Sequence, residues 1–275
     1  MAQLEQCVVV SARVLGLSRL LRRSPEAQAP RAMALIREIF AGLQGVDVSL
    51  QVDSRLLLWS KLIENGRPQA VAVGIAWLLG QLAVRQMMLA KQGFFLSGAV
   101  GLGKVLWDVE RGHRDLTGTG LRRVRQLARR NLDPCLLIAP EIVELGGPLG
   151  QVAKARAPSP YVLWRHIQPD GWGRWFWDYL GCSSHRGEPD RPSSYPAVLE
   201  SHRMYLGEQL ERHAESKRLP TWLVWLCHYH NRSVRWQAKQ FAVSELAGTI
   251  RQLLIPLPRA LQRLELPSDL RLIDD

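Results

Sequence analysis

Acidic residues are in deficit: 25 Asp and Glu stand against 36 Lys and Arg, a formal net charge of +11 at pH 7. A surface of that sign favours phosphate-rich partners such as nucleotides, nucleic acid or anionic lipid. An Arg-heavy coding bias with solvated charges would give the same balance, so charge only supports a reading. Cysteine is scarce. Cys7, Cys135, Cys182 and Cys227 lie far apart and match no CxxC spacing, so they read as reduced thiols buried in a cytoplasmic protein. Long hydrophobic runs are also missing. The longest, Pro68 to Val84, contains Gln81 and falls short of the roughly 20 residues that span a bilayer. It is expected to be a buried helix, with no membrane insertion. The first residues show no charged segment followed by an apolar run and a cleavage site, so no secretory signal is expected. No internal repeat is visible.

What is present suffices for a substantial core. The chain has 275 residues, 47% of them hydrophobic, enough for one large α/β domain or a compact domain with an appendage. The Val-rich segment Gln6 to Leu15 predicts a strand that turns at Gly16, and Ser18 to Leu43 predicts a helix interrupted near Ser24 to Pro30. Val46 to Ser60 reads as a hairpin. Val71, Ile75, Leu78, Leu82 and Leu89 then mark one face of a long helix. Phe94 to Trp107 predicts a strand in which Gly98, Gly101 and Gly103 imply a bulge or a close backbone approach. A polar loop, a basic helix from Leu121 to Arg130 and a strand at Cys135 to Ile138 follow. The order β-α-β-β-α-β-loop-α-β predicts an α/β sandwich with a central sheet. Beyond Gly147, Pro, Trp and polar residues dominate, then helices are expected at Pro196–Lys217, Thr221–Arg235 and Ser244–Leu264. Two units are therefore expected: residues 1–147, the sheet domain, and 148–275, a mainly helical extension.

Several constellations have two readings. His228 and His230, with Asp178, His185 and His202 as further ligands, could form a metal site, but helical residues two apart point to different faces. GAVGLGK, Gly98 to Lys104, looks like a phosphate loop, yet lacks the Walker spacing and the helix that should open after it. Arg122, Arg123, Arg125, Arg129 and Arg130, with Lys104, Arg111 and Arg114 nearby, form the densest basic cluster; phosphate binding competes with a solvated helix face. Trp164, Trp172, Trp175 and Trp177 suit core packing better than base stacking.

Five stretches together resemble the pyrimidine (uridylate/cytidylate) cyclases of bacterial Pycsar anti-phage defence, a branch of the class III nucleotidyl cyclases. VVVSARVLGLSRLL (Val8–Leu21) is similar to the family's first strand, which ends Asp-Ile-Leu-Gly-Phe. DSRLLLWS (Asp53–Ser60) resembles its Ser-Asp hairpin, and FFLSGAVGLGKVLWD (Phe94–Asp108) its Arg-Gly-Gly-Ile-Ala-x-Gly-Glu strand. DGWGRWFWDYLG (Asp170–Gly181) and WLVWLCHYHN (Trp222–Asn231) are similar to its C-terminal signatures. The resemblance implies a class III cyclase-like sandwich, a central mainly antiparallel sheet with helices, plus the helical extension. In that family two aspartates hold two divalent cations that activate the ribose hydroxyl and neutralise the triphosphate. Here those positions hold Arg13 and Arg55, and two further family positions hold Ser97 and Lys104.

The resemblance and these departures imply a pseudoenzyme: a catalytically inactive cyclase homologue in an anti-phage signalling context. It would bind nucleotide or phosphate through Arg13, Arg55, Ser97 and Lys104, with no cofactor. An alternative is an active cyclase making cUMP or cCMP, in which Asp53 serves as catalytic and metal ligand for Mg or Mn. A second alternative is a structural partner of an intact cyclase. The family's shared sites imply a homodimer, or a heterodimer with such a cyclase. Nucleic acid is the less favoured partner.

Overall fold

A computed structural model describes residues 3–17, 20, 28–50, 55–61, 68–107, 118–145, 166–170, 173–185, 194–214, 219–240 and 245–256. The elements run β1 (Gln3–Leu15), α1 (Gln28–Ala41), β2 (Asp47–Leu50), β3 (Arg55–Lys61), α2 (Pro68–Lys91), β4 (Phe95–Trp107), α3 (Thr119–Arg130), β5 (Leu136–Ile138), β6 (Ile167–Pro169), β7 (Trp175–Trp177), α4 (Tyr179–His185), α5 (Ser194–Arg212), α6 (Thr221–Gln240) and α7 (Glu245–Arg251). The first eight follow the predicted order. They form the expected architecture, a mainly antiparallel sheet flanked by helices, with further helices after it.

One seven-stranded sheet has the order β2-β3-β1-β4-β5-β7-β6, and among the described residues only β4–β5 is a parallel pair. β1 lies between β3 and β4, and Cys7, Val8, Val9 and Val10 are all buried. That explains why the strand is apolar at consecutive rather than alternate positions: both of its faces are covered. α1 buries Ala29, Ala32, Met33, Ile36, Ile39 and Phe40, the three-and-four spacing of an amphipathic helix. It begins at Gln28, inside the interruption read near Ser24 to Pro30.

α2 continues past Arg85 to Lys91, as the apolar face expected through Leu89 implies. By length and composition alone, Val71–Lys91 is apolar enough to cross a membrane. Here Ala72, Ile75, Leu78, Leu79, Leu82 and Leu89 are instead buried in the protein core.

The sheet does not end at residue 147. β7 pairs with β5 through Leu137↔Phe176 and Ile138↔Trp175, and β6 pairs with β7. The core is continuous as well, joining Val9, Leu78 and Leu137 to Phe176, Tyr179, Leu206 and Leu226. Two strands of three residues cannot form a stable sheet alone, so the 167–177 hairpin completes its ladder on β5. α5 and α6 occupy the expected helical regions with shifted ends. α7 stops at Arg251, well short of Leu264, and residues from 257 onward lie outside those described.

The glycines of β4 meet α3 at backbone distance. A Cβ on Gly103 would lie 2.0 Å from Gly120 Cα, and one on Gly101 would lie 2.7 Å from Val124 Cγ2. Helix backbone therefore rests on strand backbone, which is the close approach the spacing implied rather than a bulge: the β1–β4 register runs unbroken from Gln3↔Trp107 to Leu15↔Phe95. Gly103→Ala is expected to cost about 3 kcal/mol in urea unfolding, the upper range for overpacking. Gly74→Ala, at an exposed α2 position with nothing within 4 Å of the new methyl, should instead stabilise by up to about 1 kcal/mol.

Candidate functional site

Strand register assembles the site. Arg13 on β1 stands directly opposite Arg55 on β3 and directly opposite Ser97 on β4. Directly paired residues project to the same face, so the three form one row across three strands. Arg13 and Arg55 are exposed and Ser97 is buried. Two guanidiniums face each other across a strand pair, an arrangement that is unfavourable without compensation. Part of that compensation is a carbonyl. Arg13 Nη2 donates to Asn131 O at 3.3 Å, and Ser97 Oγ donates to the same oxygen at 3.3 Å.

Asn131 is fully buried at the C-terminal end of α3. Its side-chain amide donates to Gly98 O at 2.9 Å and Cys135 O at 2.7 Å, while its Oδ1 accepts Asp133 N–H at 3.1 Å. It thereby fixes the end of the basic helix to β4 and to the start of β5. Sequence reading passed over Asn131. No local pattern marked it, because Asn131 follows the last helical residue in extended backbone rather than the left-handed conformation that favours asparagine there.

Lys104 lies elsewhere. Lys104 pairs with Gln6, seven positions along β4 from Ser97, roughly 23 Å at the strand rise. An odd separation also puts it on the opposite face. The structure therefore does not bring Lys104 into the row. Asp53 falls within 51–54, outside the described residues, as do Arg111, Arg114, Trp164 and Trp172. Trp177 is buried and Trp175 packs against the core, as the packing interpretation expects. All four cysteines are buried and free; burial pushes the Cys227 thiol up to about 12.

A cleft of about 660 Å³ opens just beyond the row, where β1 ends and β4 begins. Leu15, Gly16 and Phe94 form one wall, and Gln209 and Arg212 of α5 with Trp222 of α6 form another. Gln209 is 8% exposed, and among the described residues its amide meets no partner. The α5 and α6 side chains are about 200 positions from β1, so no local pattern announced this cleft.

A second polar cluster ties the 167–177 hairpin to the loop after α3. Arg174 Nη2 bonds Asp133 Oδ2 at 3.1 Å, and Arg174 Nε bonds Asp170. Burial pushes the Asp133 carboxyl above its ordinary value, opposed by the Arg174 guanidinium. The arrangement is a clamp, with the cation already supplied by the protein.

The two histidines of the HxH pattern separate as the helix geometry requires. His230 is buried and His228 half-buried. His202 Nδ1 lies 3.2 Å from His230 Nδ1, His202 Nε2 lies 2.9 Å from the Tyr179 hydroxyl, and His230 Nε2 lies 2.9 Å from Leu253 O. A carbonyl can only accept, so His230 Nε2 carries its proton. For neutral rings, His202 Nδ1–H then donates to His230 Nδ1, and Tyr179 O–H donates to His202 Nε2. Asp178 instead accepts the Tyr229 hydroxyl at 2.5 Å and Gly181 N–H at 2.9 Å. The side chain of His185 lies outside the described set. Among the described residues no group of three or more His, Cys, Asp or Glu is placed to hold a metal.

The sequence matches no known protein family and no curated protein sequence. Three solved structures with a distant likeness to this chain are nucleotide cyclases. The adenylyl cyclase CyaB from P. aeruginosa is 17% identical, with a TM-score of 0.37 over 53% of this chain and 82% of its own. The catalytic core of a rhodopsin-guanylyl cyclase with converted specificity, in complex with ATPalphaS, is 12% identical, with a TM-score of 0.38 over 64% and 97%. The adenylate/guanylate cyclase/hydrolase from Silicibacter pomeroyi is 15% identical, with a TM-score of 0.38 over 64% and 98%.

Burial pushes His230 down to about 4 and His202 well below its ordinary value. An unfolded imidazole binds a proton below about pH 6.5, whereas these buried rings resist one until lower pH. Their contribution to stability is thus complete above pH 6.5 and is lost as pH falls toward 4, on the order of 3 kcal/mol for His230. Thermal unfolding followed from pH 7 to 4 should show a falling Tm. The slope should be shallower in His202→Gln/His230→Gln.

Proposed function

We propose that the chain is a class III cyclase-like protein that binds a nucleotide or other phosphate ligand at the Arg13–Arg55–Ser97 row without performing metal-dependent cyclisation. The carrying observation is that row: the two positions that resemble the family's metal aspartates are cross-strand partners, and both are guanidiniums. A guanidinium cannot ligate magnesium or manganese, so these two residues do not fit the cations such cyclases use. Relative to two carboxylates, two arginines change the local charge by about four units, the charge two magnesium ions would bring. The row can therefore neutralise phosphate while offering no Lewis acid for the ribose hydroxyl. The adjacent cleft supports the same assignment. Trp222 provides an aromatic wall, and the buried Gln209 amide offers a hydrogen-bonding edge suited to a nucleobase. Lys104, expected as a ligand residue, is left out of this site by its register.

The resemblance to pyrimidine cyclases makes UTP and CTP the first ligands to test. It also supports an anti-phage signalling role and pairing with a second copy or with an intact cyclase. Titration of the purified chain with UTP in excess EDTA, followed by calorimetry, should show saturable binding. Arg13→Ala/Arg55→Ala should weaken it at least tenfold with an unchanged unfolding temperature. Cyclic nucleotide formed from UTP or CTP with manganese, and lost in Asp53→Ala, would replace this proposal with an active cyclase. Absence of binding to any nucleoside triphosphate would leave a structural partner.

A further inference from the structure

α3 carries five arginines in twelve residues and no acidic residue. Its apolar side, Leu121, Val124 and Ala128, is buried with Gly120 against the sheet. At 100° per residue, the six exposed positions from Arg122 to Arg130 spread over roughly 160° of arc, with the half-buried Leu127 at its edge packed against the core. Arg122, Arg125 and Arg129 line one side of that arc, Arg123 and Arg130 the other, and Gln126 lies between them. All six are exposed.

Among the described residues these five guanidiniums form no ion pair or hydrogen bond. Glu141 borders the same shallow depression as Arg123 and Arg130, yet its Oε1 accepts the Leu102 N–H at 3.4 Å rather than an arginine. The contrast with Arg13 and Arg174 is direct, because each of those is bonded to a named oxygen. A cluster of unpaired like charges is self-repelling, and an external polyanion would relieve it.

We infer that the exposed face of α3 is a docking surface for the phosphate backbone of duplex nucleic acid, read without regard to sequence. Sequence alone ranked nucleic acid below a mononucleotide; the unpartnered state of these arginines reverses that ranking for this face. Three observations select the partner. The helix cannot insert into a bilayer as an amphipathic anchor, because its apolar stripe is already buried beneath it. The arc has no aromatic or aliphatic anchor, which a protein interface needs at its centre; the nearby exposed Leu132 stands beyond the helix end. Aromatic platforms for single strands are likewise missing from it. Each row extends about 10 Å along the axis, matching about three successive phosphates of one strand, and guanidinium forks suit phosphate oxygens.

The test is fluorescence anisotropy of the full chain with a labelled 25-base-pair random duplex, as DNA and as RNA, between 50 and 200 mM KCl. If five phosphates are neutralised, log K should fall against log salt with a slope of about −4.5 on DNA. Arg122→Gln/Arg125→Gln/Arg129→Gln should reduce the slope by nearly 3 and weaken binding at least tenfold at 100 mM. Arg31→Gln/Arg37→Gln, two exposed arginines of α1, should leave both nearly unchanged, with circular dichroism confirming that all variants fold. Equal losses in the two variants would mean that net charge alone binds duplex, and would overturn the assignment to α3. So would absence of salt-dependent duplex binding, or a preference for poly-glutamate or phosphatidylserine vesicles. UTP binding in the α3 variant reports separately on the Arg13–Arg55 row, so either proposal can fail alone.

Discussion

The contact between Gly103 and Gly120 sets the position of much that matters here. With no side chain on either residue, α3 lies on β4 at backbone distance, and no larger pair could occupy that space. Held there, the helix ends where Asn131 can reach Gly98 and Cys135 with one amide. The same placement turns the Asn131 carbonyl toward Arg13 and Ser97. Glycine spacing, helix position and the arrangement of the charged row are thus successive consequences of one steric constraint.

The C-terminal part is integrated by buried polar chemistry as much as by apolar packing. Tyr179, His202, His230 and the Leu253 carbonyl form a chain whose proton positions follow from its last acceptor. Asn231 bonds both the N–H and the carbonyl of Ile255, fastening the segment after α7 to α6. Arg174 holds the hairpin turn to the loop after α3. A partnered polar group rigidifies its surroundings, whereas an unpartnered one is costly when buried. These bonds join described segments between Ile167 and Ile255 that share the sheet's hydrophobic core.

Arginine has different roles depending on its partner. Arg13, exposed, and Arg174, half-buried, are each bonded to an oxygen acceptor and act on the architecture. The arginines of α3 stand in water on the far side of a buried stripe, so their charge is directed outward. Net charge does not distinguish these populations. The bonded partner does, and the two roles proposed above, a small ligand for the row and a polyanion for the helix, rest on that difference.

The order of the first eight elements was legible because it depends on local pattern: valine-rich strands, a three-and-four apolar spacing in α1 and α2, and glycine at the close approach. The short strands β6 and β7 were hidden, since three residues among Pro and Trp show no periodicity and are strands only because β5 offers a ladder. The site was half legible. Arg13, Arg55 and Ser97 were named by resemblance and are cross-strand neighbours; Lys104 was named in the same way but lies on the other face of β4. Residue identity, charge and local periodicity are properties of the sequence, which therefore determined the elements and the basic surplus. Register, facing and the choice of partner for each guanidinium belong to contacts between distant segments, and only the tertiary structure decided them.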